Sequence, residues 1–90
     1  MSLEDLLGIT PEIKIFDFLA ENMDSSYTPE EISGFTGLPR ATVNTKIMEM
    51  IKNNLIENGI HQIKTYRLAD NGVVMKLMSL ALEHSFSHKR

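Results

Sequence analysis

Residues Tyr27 to Val43 read YTPEEISGFTGLPRATV, and this stretch dictates two helices separated by a tight turn. Thr28 and Glu31 have the spacing of a capping box, in which each side chain satisfies a backbone N–H left unpaired at a helix start. Pro29 suits the first turn, where its missing N–H is no loss. Tyr27 and Ile32 flank the cap as a hydrophobic staple. The first helix is expected to end near Phe35 or Thr36, with Gly37 supplying the backbone freedom the turn requires. Pro39 then favours a new helical first turn, so the second helix is expected over about 39–53. Leu38, Val43, Ile47, Met50 and Ile51 define its buried side, and Asn54 is a fitting left-handed terminator.

Upstream, Leu3, Leu6 and Leu7 have helical spacing up to Gly8. Thr10-Pro11-Glu12 restarts a helix with Thr10 as cap. Ile13, Phe16, Leu19, Ala20 and Met23 follow on one face, widened by Ile15 and Phe18. Asp24-Ser25-Ser26 marks a loop. Downstream of Asn54 the apolar period shortens from about 3.6 to 2. Leu55–Ile60 and Ile63–Leu68 read as a hairpin, centred on about 56–68. Its turn falls either at Asn58-Gly59, a type I′ pair, or at His61-Gln62, which is preferred because it gives longer strands and sets Tyr66 and Leu68 against the helices. Asp70 is the expected cap of a last helix, Asn71 to about His84, leaving Ser85–Arg90 as a frayed tail. Val73, Val74, Met75, Leu77, Met78, Leu80, Ala81 and Leu82 give that helix almost no polar face.

Ninety residues allow one small domain, with its core over residues 10–70. A composition 42% apolar and 23% charged argues against disorder. No apolar run approaches the ~20 residues that span a bilayer, and no signal peptide opens the chain. With no cysteine there is neither a disulfide framework nor a thiolate metal site. A cytoplasmic domain is the expectation. Net charge is −3, but it is unevenly laid out. Residues 1–31 hold eight acidic side chains against Lys14 alone; residues 32–90 hold eight Lys or Arg against Glu49, Glu57, Asp70 and Glu83. Such asymmetry fits an acidic scaffold and a mildly basic working face.

A short helix fixed at a steep angle to its successor presents the second helix outward, where it can enter the major groove of DNA. The order helix, helix, turn, helix, hairpin, helix resembles the winged helix-turn-helix superfamily of transcriptional regulators. The resemblance is carried by Ser33, Gly37 four residues later and Val43 ten later, by GLPRATV at the start of the second helix, by EMIKNNLIENG across its end, and by TYRLADNG leading into the last helix. LLGITPEIKIFDFLAEN is similar to the first helix of MarR, ArsR and TrmB-like regulators. The resemblance covers about residues 6–84. It implies a mainly α fold with a small two-stranded hairpin: a three-helix core, a wing and a C-terminal helix.

At 100° per residue from Val43, the outward sector of the second helix contains Ala41, Thr45, Met48 and Lys52, flanked by Thr42 and Asn44. Asn pairs with adenine, Arg with guanine, and Ala or Thr methyls meet the thymine methyl. Arg40 reaches bases or phosphate, and Lys46 and Lys52 flank phosphates. Thr28 is the expected phosphate contact at a helix start, and His61, Gln62 and Lys64 form the wing tip. Relatives of the MarR and ArsR kinds frequently carry Arg where this chain has Thr45, and several Arg in the wing. Fewer neutralised phosphates mean weaker binding by a monomer. A homodimer joining two half-sites would repair this, through Leu3, Leu6, Leu7, Val74, Leu77, Met78, Ala81 and Leu82. A last helix apolar nearly all round needs such a partner.

Enzymatic chemistry finds no phosphate loop, nucleophile elbow or carboxylate pair to support it. His84 and His88, four apart, read as surface residues rather than metal ligands. No cofactor is expected, and no residue points to a small-molecule effector. The rival reading is a winged-helix protein-interaction module, which the acidic total and thinly charged wing favour.

Overall fold

The computed structural model describes residues 8–59 and 64–88, the last eight through their helical backbone. Helix α1 spans Pro11–Glu21, α2 Pro29–Thr36 and α3 Arg40–Lys52; strands β1, Ile56–Asn58, and β2, Tyr66–Leu68, follow, and α4 runs Gly72–His88. The architecture is mainly helical with a two-stranded antiparallel hairpin. The Leu3, Leu6 and Leu7 segment lies outside the described residues.

Local chemistry explains each boundary. Thr10 accepts from the Ile13 N–H at the start of α1, with Pro11 in its first turn. Asn22 closes that helix by donating its amide to the Phe18 carbonyl at 2.7 Å. Met23 therefore lies past the helix end and is exposed, a correction to its expected place on the core face. The buried face centres instead on Ile15, Phe16 and Leu19, and includes Asp17, which helical spacing alone did not single out.

At α2 the full capping box forms. Glu31 N–H donates to Thr28 Oγ1 at 3.1 Å, and Thr28 N–H donates to Glu31 Oε1 at 2.9 Å. Gly37 takes φ 78°, the left-handed conformation expected of it. The turn is fastened by side chains as well. Ser33 Oγ donates to the Leu38 carbonyl at 2.6 Å, and Gly37 N–H to the Ser33 carbonyl at 2.9 Å. Pro39 stands one position before α3 as its cap residue rather than inside it, a shift within ordinary boundary variation. Asn54 adopts φ 62° just beyond α3, in the left-handed region Asn tolerates.

The core joins Ile15, Phe16 and Leu19 of α1, Ile32 of α2, Val43, Ile47 and Met50 of α3, Ile56 and Leu68 of the hairpin, and Val74 of α4. Each fully buried aliphatic side chain contributes on the order of 1.5–3 kcal/mol. These contacts fix α3 from behind, through one face only.

Hairpin register pairs Ile56 with Leu68, Glu57 with Arg67 and Asn58 with Tyr66. Gly59 N–H continues the ladder to the Thr65 carbonyl at 2.9 Å. A turn at Asn58-Gly59 is thereby excluded, because both residues are paired across the ladder. The preferred His61-Gln62 turn lies outside the described residues. Both strands are shorter than the expected Leu55–Ile60 and Ile63–Leu68. An unforeseen bridge extends the pair: Tyr27, just before α2, exchanges two backbone hydrogen bonds with Tyr66, at 2.9 and 2.8 Å.

The last helix is capped by Asn71, not Asp70. Asn71 Oδ1 accepts from the Val74 N–H at 3.0 Å, while its amide donates to the Asn54 carbonyl at 2.6 Å. An aspartate in that place has no donor for the second bond. The helix also continues to His88, beyond the expected stop near His84, so Ser85–His88 are helical rather than frayed.

Candidate nucleic-acid interface

Helix α3 has two unlike sides. Val43, Ile47 and Met50 are buried, and on the opposite side Ala41, Thr45, Met48 and Lys52 are all exposed. Met48 is 63% exposed, unusual for a large apolar side chain among packed helices. Asn44 on one flank is exposed, and Thr42 on the other is half-buried. Thr45 Oγ1 donates to the Ala41 carbonyl at 3.1 Å, which turns its hydroxyl back to the helix. Nothing else in the described residues packs over this face.

Its charges are partly neutralised from neighbouring elements. Arg40 Nη2 lies 2.9 Å from Glu30 Oε1 of α2. Lys46 Nζ stands 3.4 Å from Glu49 and 3.7 Å from Glu12 of α1. On the hairpin, Arg67 grips Glu57 through both Nε, at 2.9 Å, and Nη2, at 2.7 Å. Lys52 and Lys64 are exposed, and Lys64 takes φ 66°. These pairs are surface contacts, individually worth about 0–1 kcal/mol. Their consequence is that Arg40, Lys46 and Arg67 add less net positive charge to this surface than their number suggests.

Thr28 sits at the start of α2, but the Glu31 carboxylate already engages both its N–H and its hydroxyl. Negative charge thus stands at the helix start where an anion was expected, and the helix dipole is already matched. His61 and Gln62 lie outside the described residues.

Residues expected at a dimer contact divide in two. Val74 is 1% exposed and belongs to the domain's own core, which removes it from the interface. Leu77 and Met78 are half-buried against that core. Among the described side chains of α4, the large apolar ones left exposed are Val73, Met75 and Leu80. The side chains of Ala81 and Leu82, like Leu3, Leu6 and Leu7, lie outside the described residues.

Two features were missed in the sequence. Glu30, ten residues before Arg40, reaches it only because the turn folds α2 back along the start of α3. Phe35, 67% exposed, stacks on Phe18 with ring centroids 5.1 Å apart, and Tyr27 meets both rings. Among the described residues no helix is long and apolar enough to cross a membrane, and no cluster of three or more His, Asp or Glu is placed to hold a metal ion.

Comparison with protein-family models, curated proteins and solved structures found no match to this chain.

Proposed function

We propose that this chain is a winged helix-turn-helix transcriptional regulator that binds double-stranded DNA as a cytoplasmic homodimer. One observation carries the reading: α3 follows a capped helix and a left-handed glycine turn, is fixed from behind by Val43, Ile47 and Met50, and leaves Ala41, Thr45, Met48 and Lys52 uncovered. A helix held by one face and bare on the other fits the major groove. Lys52 and Lys64 supply phosphate contacts, with Arg40 and Lys46 joining where DNA competes with their carboxylate partners. Thr28 serves as a cap and not as a phosphate anchor. Weak monomer binding follows from so few free cations, and the bare Val73, Met75 and Leu80 of α4 supply the dimer contact.

Retardation of mixed-sequence duplex DNA at two salt concentrations tests this. Binding that falls steeply with salt, and weakens in Lys52→Ala and Arg40→Ala, supports the reading; no retardation at low salt by the dimer sinks it. A second reading, a protein-interaction module without DNA binding, is favoured by the Arg40–Glu30 pair and by Glu31 at the start of α2. It predicts that outcome.

A further inference from the structure

Resting on the DNA-binding reading, we infer that the domain selects A·T-rich major-groove sequence by contact with thymine 5-methyl groups. The bare face of α3 is chemically lopsided. Ala41 presents a methyl group, and Met48 an exposed thioether chain. Thr45 commits its hydroxyl proton to the Ala41 carbonyl, so it offers a ligand its methyl and an acceptor oxygen but no donor for guanine O6 or N7. Ala41, Thr45 and Met48 therefore form an apolar strip about 10 Å long, from the rise of about 1.5 Å per residue. That length matches about three base-pair steps at 3.4 Å.

In the major groove only thymine carries a methyl group, whereas guanine is read by a donor fork from Arg or Lys. The one arginine near this strip, Arg40, is held by Glu30, and a carboxylate beside it disfavours guanine O6 and N7. Asn44 borders the strip, and its side chain is exposed at the surface of the helix. Its amide can pair with adenine N6 and N7, the partner that a thymine-reading strip requires on the opposite strand. Three apolar groups favour thymine, and the amide matches adenine through two bonds but guanine through its donor alone; Lys52, at the far end of the face, lies beyond the strip.

Replacing thymine by uracil deletes the methyl group and leaves every hydrogen-bonding edge unchanged, so it isolates the proposed contact. Retardation of the full chain is measured on three duplexes of equal length: A·T-rich, the same sequence with uracil for thymine, and G·C-rich. The A·T-rich duplex should bind at least tenfold tighter than the G·C-rich one. Each methyl in contact should be worth about fourfold, the equivalent of one buried methylene. Thr45→Ser keeps the hydroxyl bond and loses only the methyl, so it should shrink the thymine-to-uracil ratio; Asn44→Ala should shrink the A·T preference while leaving that ratio intact. Equal binding to thymine and uracil duplexes overturns the inference and leaves DNA binding standing. Failure to bind any of the three overturns both.

Discussion

The Asn71 amide donates to the carbonyl of Asn54, seventeen residues earlier, at 2.6 Å, while its Oδ1 caps α4. One side chain thus links the residue that terminates α3 to the start of the last helix. Asn71→Ala should lower stability by about 1–2 kcal/mol in urea denaturation, since a cap and a carbonyl partner are lost together. Asn71→Asp, which keeps the cap acceptor but has no donor for Asn54, should fall between Ala and the wild type. Equal stability of all three proteins would show that the link carries no weight.

Thr28→Ala removes half of the capping box and should cost about 1 kcal/mol. Combined with Glu31→Ala in a double-mutant cycle, the two losses should be less than additive, because they break one reciprocal unit. DNA affinity should rise in Glu31→Gln, which removes negative charge from the start of α2. A fall instead would return Thr28 and its neighbours to the role of phosphate anchor.

Glu30→Gln frees Arg40 from its carboxylate. Stability should change by less than about 0.5 kcal/mol, as both side chains are mostly exposed. Affinity for duplex DNA should rise several-fold at low ionic strength, with the gain shrinking as salt screens the added charge. Titration of both proteins at two salt concentrations checks the sign and the salt dependence together.

Gly59 admits no side chain. A Cβ there would collide with the hydroxyls of Ser26 and Thr65, which also bond to each other at 3.0 Å. Gly59→Ala should therefore destabilise the domain by about 1–3 kcal/mol, as overpacking does. Adding Ser26→Gly should recover part of that loss although Ser26→Gly alone is unfavourable, giving a favourable coupling in the double-mutant cycle.

Met75→Glu and Leu80→Glu probe the proposed dimer without touching the core, since both side chains are exposed. Sedimentation should show a shift from dimer to monomer with the thermal transition of the monomer little changed. Leu77→Glu is a poorer test because Leu77 packs against the core. A dimer that survives both exposed substitutions uses some other surface.

The helical part of the fold was legible because its signals are local. Thr28 to Glu31, Gly37 and Asn54 act within a few residues of themselves, and the burial of Val43, Ile47 and Met50 follows from helical period alone. Signals failed where the answer depended on distant chain. Asn58-Gly59 has turn chemistry, yet the register that sets Ile56 and Leu68 into the core places both residues inside the ladder. Asp70 was the expected cap, but Asn is as good a cap by type, and only Asn71 has an amide to give the carbonyl of Asn54. The outward side of α3 could be drawn from the sequence, but not the neutralisation of Arg40 by Glu30, which exists only once the turn has closed.

The backbone bridge between Tyr27 and Tyr66 has a bearing on how the chain folds. The two helices after Tyr27 form from neighbouring residues and can assemble fast, whereas the bridge must close a loop of nearly forty residues. During synthesis, which proceeds from the N-terminus, the helix pair emerges complete but unlatched until β2 has followed it. This latch between the start of α2 and the hairpin is thus among the later contacts to form. A nascent chain halted before Tyr66 would hold both helices while lacking Leu68 and Val74, which close the core behind them.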